Sequence, residues 1–279
     1  MPVVNEGAGL HSGRRRQRAD ARLRASFARA GARTEPGRLF EAGGLRWRFP
    51  RSTGACEAVI VNTGGGVAGG DAYAIEVALG RNAEVEATTP SAEKVYRSDG
   101  PPAQGVTKLT LAAGASLFWL PQETILFDGA RLMRRLEVDM AADSSLILAE
   151  SLVFGRLAMG ETRVAASFKD SWRVTLGGHL VFADETRLDS AGAMLDRAAI
   201  GAGARAVATI VAAAPNIKAR LPDLRAALDG ESDDLDAGAS ALDGIVVARL
   251  LSASPSRLRA ALIASILSLG GRKPSRLWQ

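Results

Sequence analysis

The chain is poor in the side chains that hold metals and disulfides. Its 279 residues include one cysteine, Cys56, and two histidines, His11 and His179. A single thiol excludes a disulfide framework and a cysteine-based zinc cage. Aromatic residues make up only 5% of the chain, too few for a platform on which nucleic-acid bases stack. The longest apolar stretch, Ala260 to Leu269, is ten residues long and contains two serines. A bilayer-crossing helix takes about 20. The first 30 residues contain no apolar signal-peptide core, so a soluble, cytoplasmic protein is expected. Motifs of catalysis are missing as well. There is no G-x-x-x-x-G-K-[ST], G-x-S-x-G, H-E-x-x-H or C-x-x-C. His179 lies far from any nucleophile signature, so a Ser-His-Asp triad has no support.

What is present is an ordinary globular balance, 47% hydrophobic and 23% charged, with 30 glycines. The net charge of +5 is unevenly spread. Residues 1–51 carry twelve arginines against Glu6, Asp20, Glu35 and Glu41, a local +8, which leaves −3 on the remainder. The run Arg14-Arg15-Arg16-Gln17-Arg18 can meet nucleic acid or an acidic protein face, resemble an organellar transit peptide, or be a solvated tail. We read residues 1–37 as a flexible, Arg-rich arm and 38–279 as one domain.

Within that domain the periodicity changes once. From about 45 to 214 the pattern is short strands separated by turn residues. Tyr73, Ile75, Val77 and Leu79 alternate with period two, and Leu117-Phe118-Trp119-Leu120 and Leu146-Ile147-Leu148 are apolar runs. Asn82, Asp99-Gly100, Asp128-Gly129 and Gly177-Gly178 mark turns. From 215 to 270 the period is helical. Leu221, Leu224 and Leu228 form a stripe, and Ser240 with Asp243 reads as a capping box before Ile245, Val246 and Leu250. Ser254-Pro255 opens the clearest helix, lined by Leu258, Leu262, Ile266 and Leu269 and closed by Gly270-Gly271. Asp229, Glu231, Asp233, Asp234 and Asp236 form an acidic, exposed loop between the helical stretches.

Gly64, Gly66 and Gly69 satisfy G-x-G-x-x-G after the apolar run Ala58 to Val61. One reading is a flavin- or NAD-binding oxidoreductase, with Glu86 as the ribose-binding acid. That motif needs a helix next, and Tyr73 and Ile75 would then sit about 200° apart. The alternation suits an extended chain, so residues 73–87 are expected to form a hairpin. The other reading is structural: Gly64, Gly65, Gly66, Gly69 and Gly70 form a turn that brings backbone close to a neighbour. Carboxylates remain as the chemical groups: Asp71, Glu93, Glu123, Asp128, Glu150 and Glu161 lie near glycine turns or aromatics. Paired carboxylates can do acid–base work, hold a divalent ion weakly through oxygen, or simply neutralise arginines.

Read together, several stretches resemble the UreD (UreH) urease accessory protein family. They are Asn62-Thr63-Gly64-Gly65-Gly66 through Asp71; Thr88 through Arg97; Trp119 through Phe127; Glu150 with Gly155-Arg156 and Gly160-Glu161; and the closing Pro274-Ser275-Arg276-Leu277-Trp278. The chain departs from the family pattern where Asn62-Thr63-Gly64 replaces the usual prolines, and in a shortened tail. The resemblance implies a mainly β fold of strands stacked in a helical-like arrangement, with a few helices near the C-terminus. It implies a scaffold, not an enzyme, that joins the accessory proteins UreF and UreG to urease apoprotein. UreG, not this chain, would bind GTP, and nickel would pass in transit with no tightly bound cofactor. On that basis Asp71, Glu93, Glu150 and Glu161, with Glu123 in second rank, are expected to face a nickel passage or a partner.

Overall fold

The computed structural model describes residues 17–51, 54–161, 163–229 and 234–278. The chain opens as a hairpin of β1 (Asp20–Ala30) and β2 (Arg33–Ala42), then runs through β3 (Leu45–Arg48) into β4 (Cys56–Asn62). From there it winds in coils between two sheets. β5 (Ala72–Leu79) lies in the first sheet and β6 (Glu84–Thr88) in the second, and the short β7 (Glu93–Val95) leads back to the first at β8 (Ala103–Leu111). The excursion repeats through β9 (Ser116–Leu120), β10 (Thr124–Leu126) and β11 (Arg131–Met140). It repeats again through β12 (Ser145–Phe154) to β13 (Ser167–Leu176). Then come β14 (His179–Leu188), α1 (Ala191–Leu195), β15 (Ala206–Ala213) and α2 (Leu221–Leu228). The hairpin of β16 (Leu235–Leu242) and β17 (Ile245–Ser252) precedes α3 (Pro255–Gly270). The fold is mainly strand, arranged as a stacked-coil β-solenoid, as the family resemblance implies.

Parallel neighbours normally need a helical crossover. Here each crossover is a strand of the opposite sheet. β1, β5, β8, β11 and β13 are parallel in the first sheet, and β4, β6, β9 and β12 in the second. Register aligns like side chains into rows: Val77, Leu109, Val138 and Val174 are neighbours, as are Val85, Leu117 and Leu146 across the second sheet. These rows face one another as the main core. The other face of the second sheet is also covered. Phe118, Ile147 and Ile210 pack under Leu258, Leu262, Ile266 and Trp278. That accounts for the unbroken apolar runs, because strands buried on both faces need no polar alternation.

The helix at 255–270 forms as its signals dictate. Ser254 Oγ accepts from the Arg257 amide at 3.4 Å, Pro255 occupies the first turn, and Gly271 closes the helix at φ +67°. Three expectations are corrected. Residues 20–37 are not an arm: β1 and β2 occupy them, and Ala21, Leu23, Ala25 and Phe27 are buried in the main core. The arginines mask a period-two pattern, since Arg22 and Arg24 alternate with those residues on the outer face. Second, Ser240 and Asp243 cap no helix. They belong to the β16–β17 hairpin, whose turn is Asp243-Gly244. Third, residues 73–87 are not a hairpin. β5 and β6 lie in different sheets, and β5 pairs in parallel with β1 and β8. Residues Arg14 to Arg16, His11, Glu231 and Asp233 lie outside the described residues, while Asp236 is an exposed residue of β16.

Candidate functional site

Polar side chains enter the space between the sheets at one level of the stack. Along the first sheet, register places Ala21, Tyr73, Gly105, Arg134 and Asp170 side by side. From the second sheet, Trp119 and Glu150 approach them. The Trp119 indole donates to Glu150 Oε1 at 2.9 Å. Arg134 spans the gap: Nη1 meets Glu150 Oε2 at 2.8 Å and Nη2 meets Asp170 Oδ2 at 2.5 Å. Burial opposes the charge on Arg134, but the facing Asp170 and Glu150 outweigh it and hold the guanidinium's pKa above the ordinary range. Burial pushes the Glu150 carboxyl upward, and Arg134 offsets only part of that rise.

A cavity of about 140 Å³ lies beside this triad, bordered by Tyr73, Glu93, Gly105, Thr107, Trp119, Arg134 and Glu150. A smaller one of about 40 Å³ shares Arg134 and Glu150 and extends past Asp170 to Asp184. Asp184 in turn pairs with Arg249 at 2.8 Å near the surface.

At the other side of the larger cavity stands Glu93. Its Oε2 accepts from Asn62 Nδ2 at 3.0 Å, and that same amide donates to the Gly66 carbonyl at 3.1 Å. Burial raises the Glu93 pKa, with Asn62 and the Lys94 amide pulling the other way. Burial, with Asp71 and Glu93 nearby, pushes the Tyr73 hydroxyl well above its usual range. Asp71 is 7% exposed and fully engaged. Its Oδ1 accepts from the Ala19 amide at 2.9 Å, and its Oδ2 from the Ala68 amide at 2.8 Å and the Tyr73 hydroxyl at 3.3 Å.

The glycine segment is a sheet-to-sheet turn. Gly65 and Gly66 have φ of +73° and +155°, and the Tyr96 hydroxyl donates to the Gly65 carbonyl at 2.9 Å. A Cβ on Gly66 would lie 2.5 Å from the Tyr96 ring and 2.8 Å from the Lys94 carbonyl oxygen. The element after the glycines is β5, so no helix N-terminus is available for a pyrophosphate and the dinucleotide reading loses its basis. Glu86, its proposed ribose acid, is buried against the C-terminal segment, where it binds Arg272 and the Ser275 amide.

The expected carboxylates therefore separate. Glu93 and Glu150 border one cavity, with Asp71 linked to it through Tyr73. Glu123 pairs instead with Arg259 at 3.0 Å, and Glu161 pairs with Arg156. The Arg156 hydrogen bond draws the Glu161 pKa down. Neither borders the cavity. Asp128 accepts from the Ala165 amide and pairs with Arg97. Arg134, Asp170 and Asp184 carry no motif that marks them in the sequence. Among the described residues, no three His, Cys, Asp or Glu side chains converge on a point that could cage a metal.

Fold and site together define a two-sheet β-coil protein with a cluster of charged side chains set between its sheets. Among the described residues no helix is long and apolar enough to cross a membrane. The family model described as UreD urease accessory protein matches residues 19–279. A urease accessory protein UreD of Beijerinckia indica is 46% identical over 262 residues, covering 94% of this chain and 97% of that one. Those of Methylobacterium sp. strain 4-46 and Rhodopseudomonas palustris strain HaA2 are 46% and 44% identical. The first alignment covers 95% of this chain and 96% of the relative, the second 88% of each. The chain belongs to the UreD family.

Proposed function

We propose that the chain is a non-catalytic accessory protein of urease maturation, acting in the cytoplasm. In this reading it links the nickel-carrying GTPase complex, UreG with UreF, to urease apoprotein and gives nickel a sheltered way through. Nickel is cargo, not a resident cofactor. Its identity as cargo rests on the family. The observation carrying the passage is that Glu93 and Glu150 border one interior cavity. Carboxylate oxygens bind nickel more weakly than imidazole or thiolate, which suits an ion that must be released.

The test is complementation of a urease-operon host lacking this gene. Paired Glu93→Gln and Glu150→Gln changes are expected to lower urease nickel content, read by elemental analysis, while the chain still co-purifies with its partners. Full nickel loading in that variant would remove the passage. Full urease activity without the gene would remove the maturation role.

A further inference from the structure

α3 lies over β12, β15 and β17, and beyond it the outer face of the second sheet is crossed by the C-terminal segment. There register sets Glu57 of β4 beside Glu86 of β6. The segment engages both acids. The Ser275 amide donates to Glu86 Oε1 and the Ser275 hydroxyl to Glu57 Oε1, each at 2.5 Å, and Arg272 pairs with Glu86. The Arg272 guanidinium also lies 3.9 Å from the centre of the Phe118 ring, which holds it from a second side. Between this segment and residues 50–57 a crevice of about 560 Å³ remains open, and it shares no residue with either interior cavity. Its cations are Arg51, Arg272, Lys273 and Arg276, and its acids among the described residues are Glu57 and Glu86, so two positive charges are in excess. Arg51, Lys273 and Arg276 are exposed, and none of them has a carboxylate partner among the described residues.

We infer that this crevice is a docking site for an extended acidic peptide segment of a partner protein. Charge sets the sign of the ligand. Both lining acids are already bound within the molecule, while three cations face the crevice with their donors free, and clustered arginines recognise acidic segments. Arginine forks take carboxylates two bonds at a time, and Lys273 adds a point charge. Size sets the ligand's length. A single phosphate ion would fill only a small part of 560 Å³, whereas several residues of an extended chain fit. Nucleic acid is disfavoured because, among the described residues, the crevice offers bases no ring to stack on: Phe118 lies beneath Arg272, and Trp278 is buried. The walls are also fixed in advance. Pro50 and Pro274 stiffen the two sides, and Glu86 and Phe118 hold Arg272, so docking orders little of this chain.

Fluorescence anisotropy of a fluorescein-labelled hexaglutamate peptide, titrated with the full chain at low salt, tests the site. Saturable binding is expected. Lys273→Glu combined with Arg276→Glu should weaken it at least about tenfold. Both positions are exposed, so the fold is expected to survive, and circular dichroism checks that it does. Arg81→Glu combined with Arg173→Glu makes the same change of charge at two exposed positions outside the crevice and should leave affinity within about twofold. Equal losses in the two double variants would trace binding to the net charge of the whole molecule and overturn the proposal, as would an unaltered chain that shows no saturation. Displacement of the peptide by an equal concentration of inorganic phosphate would make this a site for a single oxyanion and overturn the peptide assignment. A labelled oligothymidylate that binds the crevice more tightly than the peptide would overturn it as well.

Discussion

The Trp278 indole donates to the Leu120 carbonyl oxygen at 3.0 Å, joining positions 158 residues apart. Trp278 is 1% exposed, and the Arg259 guanidinium lies over its ring at 5.0 Å. Gln122 Nε2 adds a bond to the Leu277 carbonyl at 2.9 Å. The closing segment is thus a wedge under α3 and not a loose tail. Trp278→Ala is expected to cost about 3–5 kcal/mol. Thermal melting should fall by roughly 10 °C; a loss below about 2 °C would contradict the burial.

Two adjacent glycines should respond differently to the same change. Gly65 has a positive φ but open space around its missing Cβ, whereas Gly66 faces the Tyr96 ring and the Lys94 carbonyl. Gly65→Ala should cost about 1 kcal/mol, the left-handed penalty alone. Gly66→Ala adds a clash with backbone and should cost more than about 2 kcal/mol. Urea unfolding of the two variants compares them directly, and equal losses would remove the close-approach explanation.

Glu93 predicts a pH dependence. Burial lifts its folded-state pKa above the ordinary 4.5, so folding favours the neutral acid. Its contribution is complete below the unfolded-state pKa and is lost as pH rises through the raised value. Glu93→Gln keeps the shape and an acceptor for Asn62 but cannot ionise. The variant should melt with the parent near about pH 4 and above it at pH 7 to 8, where an ionised buried glutamate is penalised. A gap that shrinks as pH rises would reverse the assignment.

Much of the fold could be read from the sequence because local rules and burial agree. Tyr73, Ile75, Val77 and Leu79 alternate and form β5, and Ser254, Pro255 and Gly271 bound α3. Pairing was not legible. Alternation is the same for a hairpin and for a strand whose neighbour lies a full coil away, as Tyr73 opposite Gly105 does. At 240–243 a capping-box pattern coincided with an Asp-Gly hairpin turn, and the alternation around Asp243-Gly244 decided the outcome. In the interior, Glu93 and Glu150 drew notice as acids near turns. Arg134 and Asp170 carry no motif that singles them out. They meet only because β11 and β13 align in register, and a single sequence does not display register.

The parallel stacking has a consequence during synthesis. Every coil leaves its newest strand with a bare row of amide and carbonyl groups until the next coil is made. β14 pairs antiparallel on β13, and β15 on β12, which covers the last open rows of the parallel stack. A nascent chain that stalls on the ribosome before residue 179 therefore carries two sticky sheet borders at once, and truncated products of this gene should be found in inclusion bodies.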